Sequence, residues 1–252
     1  LDVDPARVPV VMIGDRAHDV EGAAEHDVPT IGVAWGYAAP GELDSARPFR
    51  CSPVHDRLAA AGASFGSKMG WERPLHLAPA GVAPGDRDPT YGWGRQPWHD
   101  WVDAEQRATR EAVALFDQTS FGKLLVTGRD AETVLQWLCT ADVAVEPGRA
   151  VYTGMLNHRA GYEADVTITR LSPDEFLLVT GSASVVRDRA WILGHLAADQ
   201  QVEVVDVSSA FAVFGVMGPH SRALLGSLST SDLSDDAFPF STSRELDLGH
   251  AT

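Results

Sequence analysis

At 252 residues and 27.0 kDa the chain has room for one large domain or two small ones, and its 44% hydrophobic content supplies a core. A formal net charge of −15 argues against nucleic acid or an anionic membrane as partner, because phosphate binding depends on Lys and Arg. Cys51 and Cys139 are far apart and suggest neither a disulfide framework nor a zinc site, so a reducing cytoplasm is the expected compartment; no apolar run reaches the roughly 18 residues of a membrane span.

Val8 to Ile13 is a continuous apolar run, Val20 to His26 reads as helical and Thr30 to Val33 is β-branched, which predicts a parallel βαβ unit. The connecting loop GDRAHD sets Asp15 just past the first strand, where open α/β sheets place ligands, and Asp19 follows four residues later. Two carboxylates so placed suit magnesium, whose shell is completed by water and phosphate. The same residues also read as caps of the helix that begins near Val20. The run VVMIGDRAHDVEGAAEHDVPTIGVAWGYAAPGEL resembles the last conserved segment of haloacid dehalogenase-like phosphatases of the phosphoglycolate phosphatase group. That resemblance implies magnesium at Asp15 and Asp19, while the family's nucleophilic Asp, its Ser/Thr motif and its Lys lie in segments that this sequence does not contain.

From Ser52 the pattern changes. SPVHDRLAAAGASFGSKMGWERPLHLAPAG, followed by YGWGRQPWHDW, resembles the stretch that links the flavin and folate domains of dimethylglycine and sarcosine dehydrogenases. Trp71, Trp93, Trp98 and Trp101 read as packing between domains rather than as a stacking platform for a ligand. Gly81 to Pro89 is a loop rich in Gly, Pro and Asp.

Regular elements follow. Trp101, Ala104, Ala108, Ala112 and Phe116 predict the apolar face of a helix ending near Asp117. A strand from Phe121 to Thr127 leads to a helix with Asp130 as N-cap and Val134, Leu135 and Leu138 buried. Strands Ala150 to Leu156 and Glu163 to Leu171 flank the turn NHRAG as a hairpin. Strand Glu175 to Thr180, a helix with Val185, Ile192, Leu193 and Leu196 on one side, strands Val202 to Val207 and Phe211 to Met217, and a short helix opened by Pro219 complete the order. The fold class expected is α+β, a largely antiparallel sheet with helices, preceded by a partial βαβ fragment.

The segments LFDQTSFGKLLVTGRDA, PGRAVYTGMLNHRAGYEADVTITRL, LLVTGSASVVRDRAWI and FGVMGPHSR resemble, in this order, the folate-binding glycine-cleavage aminomethyltransferase family. The resemblance implies binding of tetrahydrofolate and capture of a one-carbon unit as 5,10-methylene-tetrahydrofolate. Asp165 matches the family's functional Asp, and strand alternation independently puts Asp165, Thr167 and Thr169 on one face with Val166 and Ile168 on the other. The bland alternative is a solvated Asp on a polar strand face. Tyr152 matches a folate-contacting aromatic, and Phe121 and Val179 match cavity-lining positions that read equally well as core.

The domains expected are 1–45 (haloacid dehalogenase-like), 46–100 (linker with the Trp-rich run) and 101–252 (start of the folate-binding domain). No GxGxxG opens a βαβ unit, so FAD is expected only in a full-length parent, a flavin-dependent demethylating dehydrogenase of dimethylglycine or sarcosine. The resemblance breaks off at RELDLGHAT, and the isolated chain is expected to hold about half a pocket and to be inactive. The partners expected are folate and the one-carbon unit, with no nucleic acid or membrane and with the oligomeric state open. A magnesium-dependent phosphatase remnant and a non-catalytic interaction module are the rival readings.

Overall fold

The computed structural model describes residues 12–14, 17–25, 30–32, 47–87 and 92–249. At the N-terminal end, β1 (Met12–Gly14), α1 (Ala17–Ala24) and β2 (Thr30–Gly32) form the expected βαβ unit, the strands pairing in parallel with Ile13 opposite Ile31. Asp15 lies outside the described residues; Asp19 falls within α1.

The next segment runs through α2 (His55–Ala60) into an antiparallel hairpin of β3 (Ala63–Lys68) and β4 (Trp71–Leu77). Here the GWERP run has a structural explanation. Trp71 is buried with the Arg50 guanidinium 4.3 Å from its ring centroid, and the buried Glu72 carboxylate accepts from Arg47 Nε at 2.8 Å and Nη2 at 2.5 Å. Such a fork geometry satisfies both carboxylate oxygens, which is what allows a charge at a buried position. His76, also buried, stacks on Trp98 at 5.8 Å, meets Trp101 at 5.5 Å and bonds the Arg87 carbonyl through Nε2 at 2.8 Å. Three of the four tryptophans therefore pack; Trp93 is fully exposed.

The main body begins with α3 (His99–Glu111) and β5 (Ala114–Asp117). The helix thus stops six residues before the expected end near Asp117. Its last carbonyls are taken by the far end of the domain: the His220 amide donates to the Ala112 carbonyl at 2.9 Å, and Gly218 sits so close that a Cβ there would meet that oxygen at 2.5 Å. The apolar run after it then pairs as β5 with β11 (Phe214–Met217), Phe116 opposite Gly215. The expected helix face also shifts. Trp101 and Ala112 are half-buried, but Ala104 and Ala108 are exposed, and Glu105 and Thr109 turn inward instead. Two methyl groups offer little area to bury, whereas the Glu105 carboxylate accepts from the Leu77 amide at 2.7 Å and so satisfies the end of β4.

The core belongs to a five-stranded, wholly antiparallel sheet. Its strands are β6 (Gly122–Thr127), β7 (Ala150–Leu156), β8 (Tyr162–Ser172), β9 (Glu175–Thr180) and β10 (Glu203–Asp206), in the order β10-β6-β9-β8-β7. Helices α4 (Ala131–Leu138) and α5 (Val185–Gly194) contribute to the same core: Val134, Leu135, Leu138 and Ile192 join Leu124, Val126, Val166, Ile168, Phe176, Leu178 and Val204 there. Asp130 occupies the N-cap position of α4 as expected, but its carboxylate does not cap that helix; it accepts from the Gln201 amide at 2.8 Å and ties the helix start to the approach to β10. A short α6 (Ser221–Gly226) starts two residues after Pro219. This is the expected α+β architecture. Among the described residues no helix is long and apolar enough to cross a membrane.

The two thiols sit in different environments. Burial pushes the Cys139 thiol up to about 12, whereas Cys51 is exposed. Desolvation and the nearby carboxylates of Glu72 and Asp56 also raise the Cys51 thiol, so its exposure sets the difference: a disulfide reagent should modify Cys51 faster than Cys139, which should react only after unfolding. Two thiols reacting at one rate in the folded protein would contradict this. Because the folded value lies above the ordinary 9.0, the stability contributed by neutral Cys139 is complete below pH 9 and is lost as pH climbs toward 12.

Candidate functional site

The sheet has one face on the core and one face open, and alternation along β8 decides which residues reach the open one. Ala164, Val166 and Ile168 are buried, so Asp165, Thr167 and Thr169 project the other way. The β7–β8 register puts Tyr152 opposite Thr167 and Gly154 opposite Asp165. Tyr152 and Asp165 are therefore diagonal neighbours on one face, within reach of a long side chain. Tyr152 Oη donates to Asp165 Oδ2 at 3.0 Å. That hydrogen bond, and then the negative charge of Asp165, raise the Tyr152 pKa, so the phenol stays protonated and remains a donor. Both residues are exposed, Tyr152 at 69%.

Val179 pairs with Thr167 on one side and with Lys123 on the other, so Lys123, Val179, Thr167 and Tyr152 form one row across four strands. The next row contains Asp165 and Gly154. Carried one residue past the ends of β9 and β6, that row continues through Gly181 to Phe121, which places Phe121 two strand spacings, roughly 10 Å, from Asp165. The structure thus joins Tyr152 to Asp165 directly, sets Val179 one row away and leaves Phe121 at the far side of the row, with a residue lacking a side chain between them.

Two residues of this face were not singled out from the sequence. Lys123 is 1% exposed, and its Nζ donates to the carbonyls of Thr119 and Phe211, each at 2.9 Å. The alternation in GKLLVT, with Lys123 and Leu125 sharing a parity, carries that signal. Tyr162 lies with its ring against Gly154, so close that a Cβ at 154 would meet its Oη at 2.4 Å. Nothing in the local sequence shows the strand irregularity that brings it there.

Elsewhere, a depression of about 1020 Å³ lies between α5 and β10, lined by Val186, Leu193, Val202 and Val205 together with Arg189, Glu203 and Asp206. It carries no comparable chemistry: Arg189 Nε already donates to the Val204 carbonyl at 2.8 Å. Among the described residues no group of three or more His, Cys, Asp or Glu side chains could hold a metal ion.

Comparisons with known proteins bear on the family and the fold. Over 207 residues the chain is 42% identical to 4-methylaminobutanoate oxidase (formaldehyde-forming) of Paenarthrobacter nicotinovorans, covering 82% of this chain and 25% of that protein. It is 35% identical to mitochondrial sarcosine dehydrogenase of Homo sapiens over 79% of this chain and 26% of the relative. The chain thus spans about a quarter of the length of these relatives. The crystal structure of the glycine cleavage system aminomethyltransferase T from Bartonella henselae superposes with a TM-score of 0.57 at 25% identity, over 71% of this chain and 44% of that one. Residues 1–61 match a second family model, described as HAD-hydrolase-like, in keeping with the haloacid dehalogenase-like resemblance of the N-terminal segment. Matched over residues 54–252 by the family model described as the GCVT N-terminal domain, and folded like an aminomethyltransferase, the chain belongs to that family.

Proposed function

We propose that this chain is the folate-binding, one-carbon-transfer portion of a flavin-dependent dehydrogenase that demethylates N-methylglycines such as dimethylglycine or sarcosine. The observation that carries the reading is the exposed Asp165 carboxylate, oriented by Tyr152 Oη at 3.0 Å on the open face of the sheet. Tetrahydrofolate, when bound, supplies the amines that accept the one-carbon unit. The residues present suit it. With Oδ2 engaged by Tyr152, Asp165 Oδ1 remains an acceptor for a ligand N–H and a station for a proton in transfer. Val179 supplies apolar surface one row away and Phe121 at the far side of the Asp165 row, and Thr167 supplies a hydroxyl. Holding the acceptor close to where the one-carbon unit is released raises its effective concentration. On this reading oxidation and FAD belong to other parts of a longer polypeptide, in line with the length of the relatives, and the protein works in the cytoplasm on small molecules.

Calorimetry of tetrahydrofolate binding tests the reading. Asp165→Ala should weaken binding by about one to two decades, the equivalent of a charge-assisted hydrogen bond of roughly 1.5–3 kcal/mol. Unchanged affinity would leave Asp165 as an ordinary polar-face residue.

The HAD-hydrolase-like match of residues 1–61 favours one second reading, a magnesium-dependent phosphatase remnant with Asp15 and Asp19 as metal ligands. Phosphate-ester turnover that requires magnesium and vanishes in Asp15→Asn would support it, and absence of such turnover would rule it out for this chain.

A further inference from the structure

Near its closed end the β7–β8 hairpin contains an extra residue. Met155 pairs with Ala164 and Leu156 with Tyr162, so Glu163 has no partner of its own and forms a bulge. A bulge reverses the alternation of side chains beyond it. In unbroken register Tyr162 would share the buried face of Ala164, Val166 and Ile168. With the bulge it turns to the face of Tyr152 and Asp165. Its ring lies back over Gly154, the residue paired with Asp165: a Cβ there would meet Tyr162 Cζ and Oη at 2.4 Å and Cε1 at 3.0 Å. Only a glycine leaves that seat open.

The arrangement is held from the turn. Asn157 Nδ2 donates to Glu163 Oε1 at 2.6 Å, while Asn157 Oδ1 accepts from the amides of Arg159 at 2.9 Å and Gly161 at 3.0 Å. A bulge, a glycine and a side-chain network thus combine to place an aromatic ring that stays 66% exposed. Two exposed phenols, Tyr152 and Tyr162, now flank one carboxylate. Core packing does not account for Tyr162, since its side chain stays largely exposed.

We propose that Tyr162 is a specificity-determining wall of the Asp165 site, stacking against a flat, amine-bearing heterocycle whose N–H groups Asp165 accepts. The inference rests on the folate reading and deepens it: the pterin end of the ligand, not its glutamate tail, lies at the hairpin. Tyr162 contributes contact area and orientation, and Gly154 exists to seat it.

Calorimetry of the 252-residue chain with 5-formyl-tetrahydrofolate, and with tetrahydropterin alone, tests this. Tyr162→Ala should weaken both ligands roughly tenfold or more, the usual loss when a stacking aromatic is cut to alanine. Tyr162→Phe keeps the ring and should restore binding. Gly154→Ala displaces the ring and should weaken binding as Tyr162→Ala does. Thermal unfolding of Tyr162→Ala should match wild type, since the side chain is exposed; a purely structural role would instead lower the melting temperature and leave affinity alone. If Tyr162→Ala binds like wild type while Asp165→Ala binds weakly, Tyr162 is not a wall and the folate reading stands. If neither ligand binds the wild-type chain, both fall.

Discussion

Thr180→Val should destabilise the protein more than Asp188→Ala does, by about 2–4 kcal/mol against about 1–3 kcal/mol, although the two residues share one hydrogen bond. Thr180 Oγ1, at the end of β9, donates to Asp188 Oδ2 at 2.5 Å, and both residues are buried, Asp188 at 1% exposure. The other carboxylate oxygen accepts from Arg187 Nε at 3.0 Å and Nη2 at 2.9 Å, but Arg187 is largely exposed, so water screens that attraction. Removing the hydroxyl leaves a buried carboxylate half satisfied. Removing the carboxylate leaves only a neutral hydroxyl without a partner and relieves the cost of desolvating the charge. The double variant should therefore lose less than the sum of the single variants. Urea unfolding of the three variants checks this; equal losses that add would mean that the two side chains do not act as a unit.

The site was only partly legible in the sequence. Local rules located the strands well, because β9 and the middle of β8 alternate cleanly and NHRAG closes a short hairpin. Alternation alone put Asp165 on the face opposite Val166 and Ile168, where the structure has it. The Tyr152–Asp165 contact was foreseeable once the hairpin was granted. The boundary of α3 was not. It depends on His220, more than a hundred residues away, whose amide takes up the Ala112 carbonyl, and on Gly218, whose lack of a side chain permits that close approach. Nor was Tyr162 visible, because a single bulged residue inverts its face and no periodicity survives over so few positions. Propensity and period describe what a segment can do alone. What they miss here is set by contacts between segments.

Lys123 is the strongest case of such a contact. Among the described residues no carboxylate lies within salt-bridge distance of its Nζ; it donates to two backbone carbonyls, Thr119 before β6 and Phe211 after β10, and so fastens two loops at the edge of the open face. Lys123→Ala should cost about 3–5 kcal/mol, combining a cavity where three methylenes and the ammonium were with two carbonyls left without a donor. Lys123→Met keeps the stem, and the desolvation relieved by losing the charge offsets part of the lost hydrogen bonding, so its cost should be about 1–2 kcal/mol. The pH dependence separates the terms. Burial holds the Lys123 pKa below its ordinary 10.5, with Asp206 opposing. Between the folded value and 10.5 the unfolded chain binds more protons than the folded one, so the contribution of Lys123 grows as pH rises through that window and is smallest below it. Cys139 acts in the opposite direction above pH 9, but it is common to wild type and Lys123→Met and drops out of their difference. The gap in unfolding free energy between these two proteins should therefore widen from neutral pH toward 10.5. A gap that stays flat or narrows would mean that the ammonium is not desolvated in the folded state, and that its two carbonyl bonds, rather than burial, set its energy. Because Lys123 shares a row with Val179, Thr167 and Tyr152, the same variants should also loosen the Thr119 to Phe121 corner, seen as faster proteolysis there, before they disturb the Tyr152–Asp165 bond three strands away.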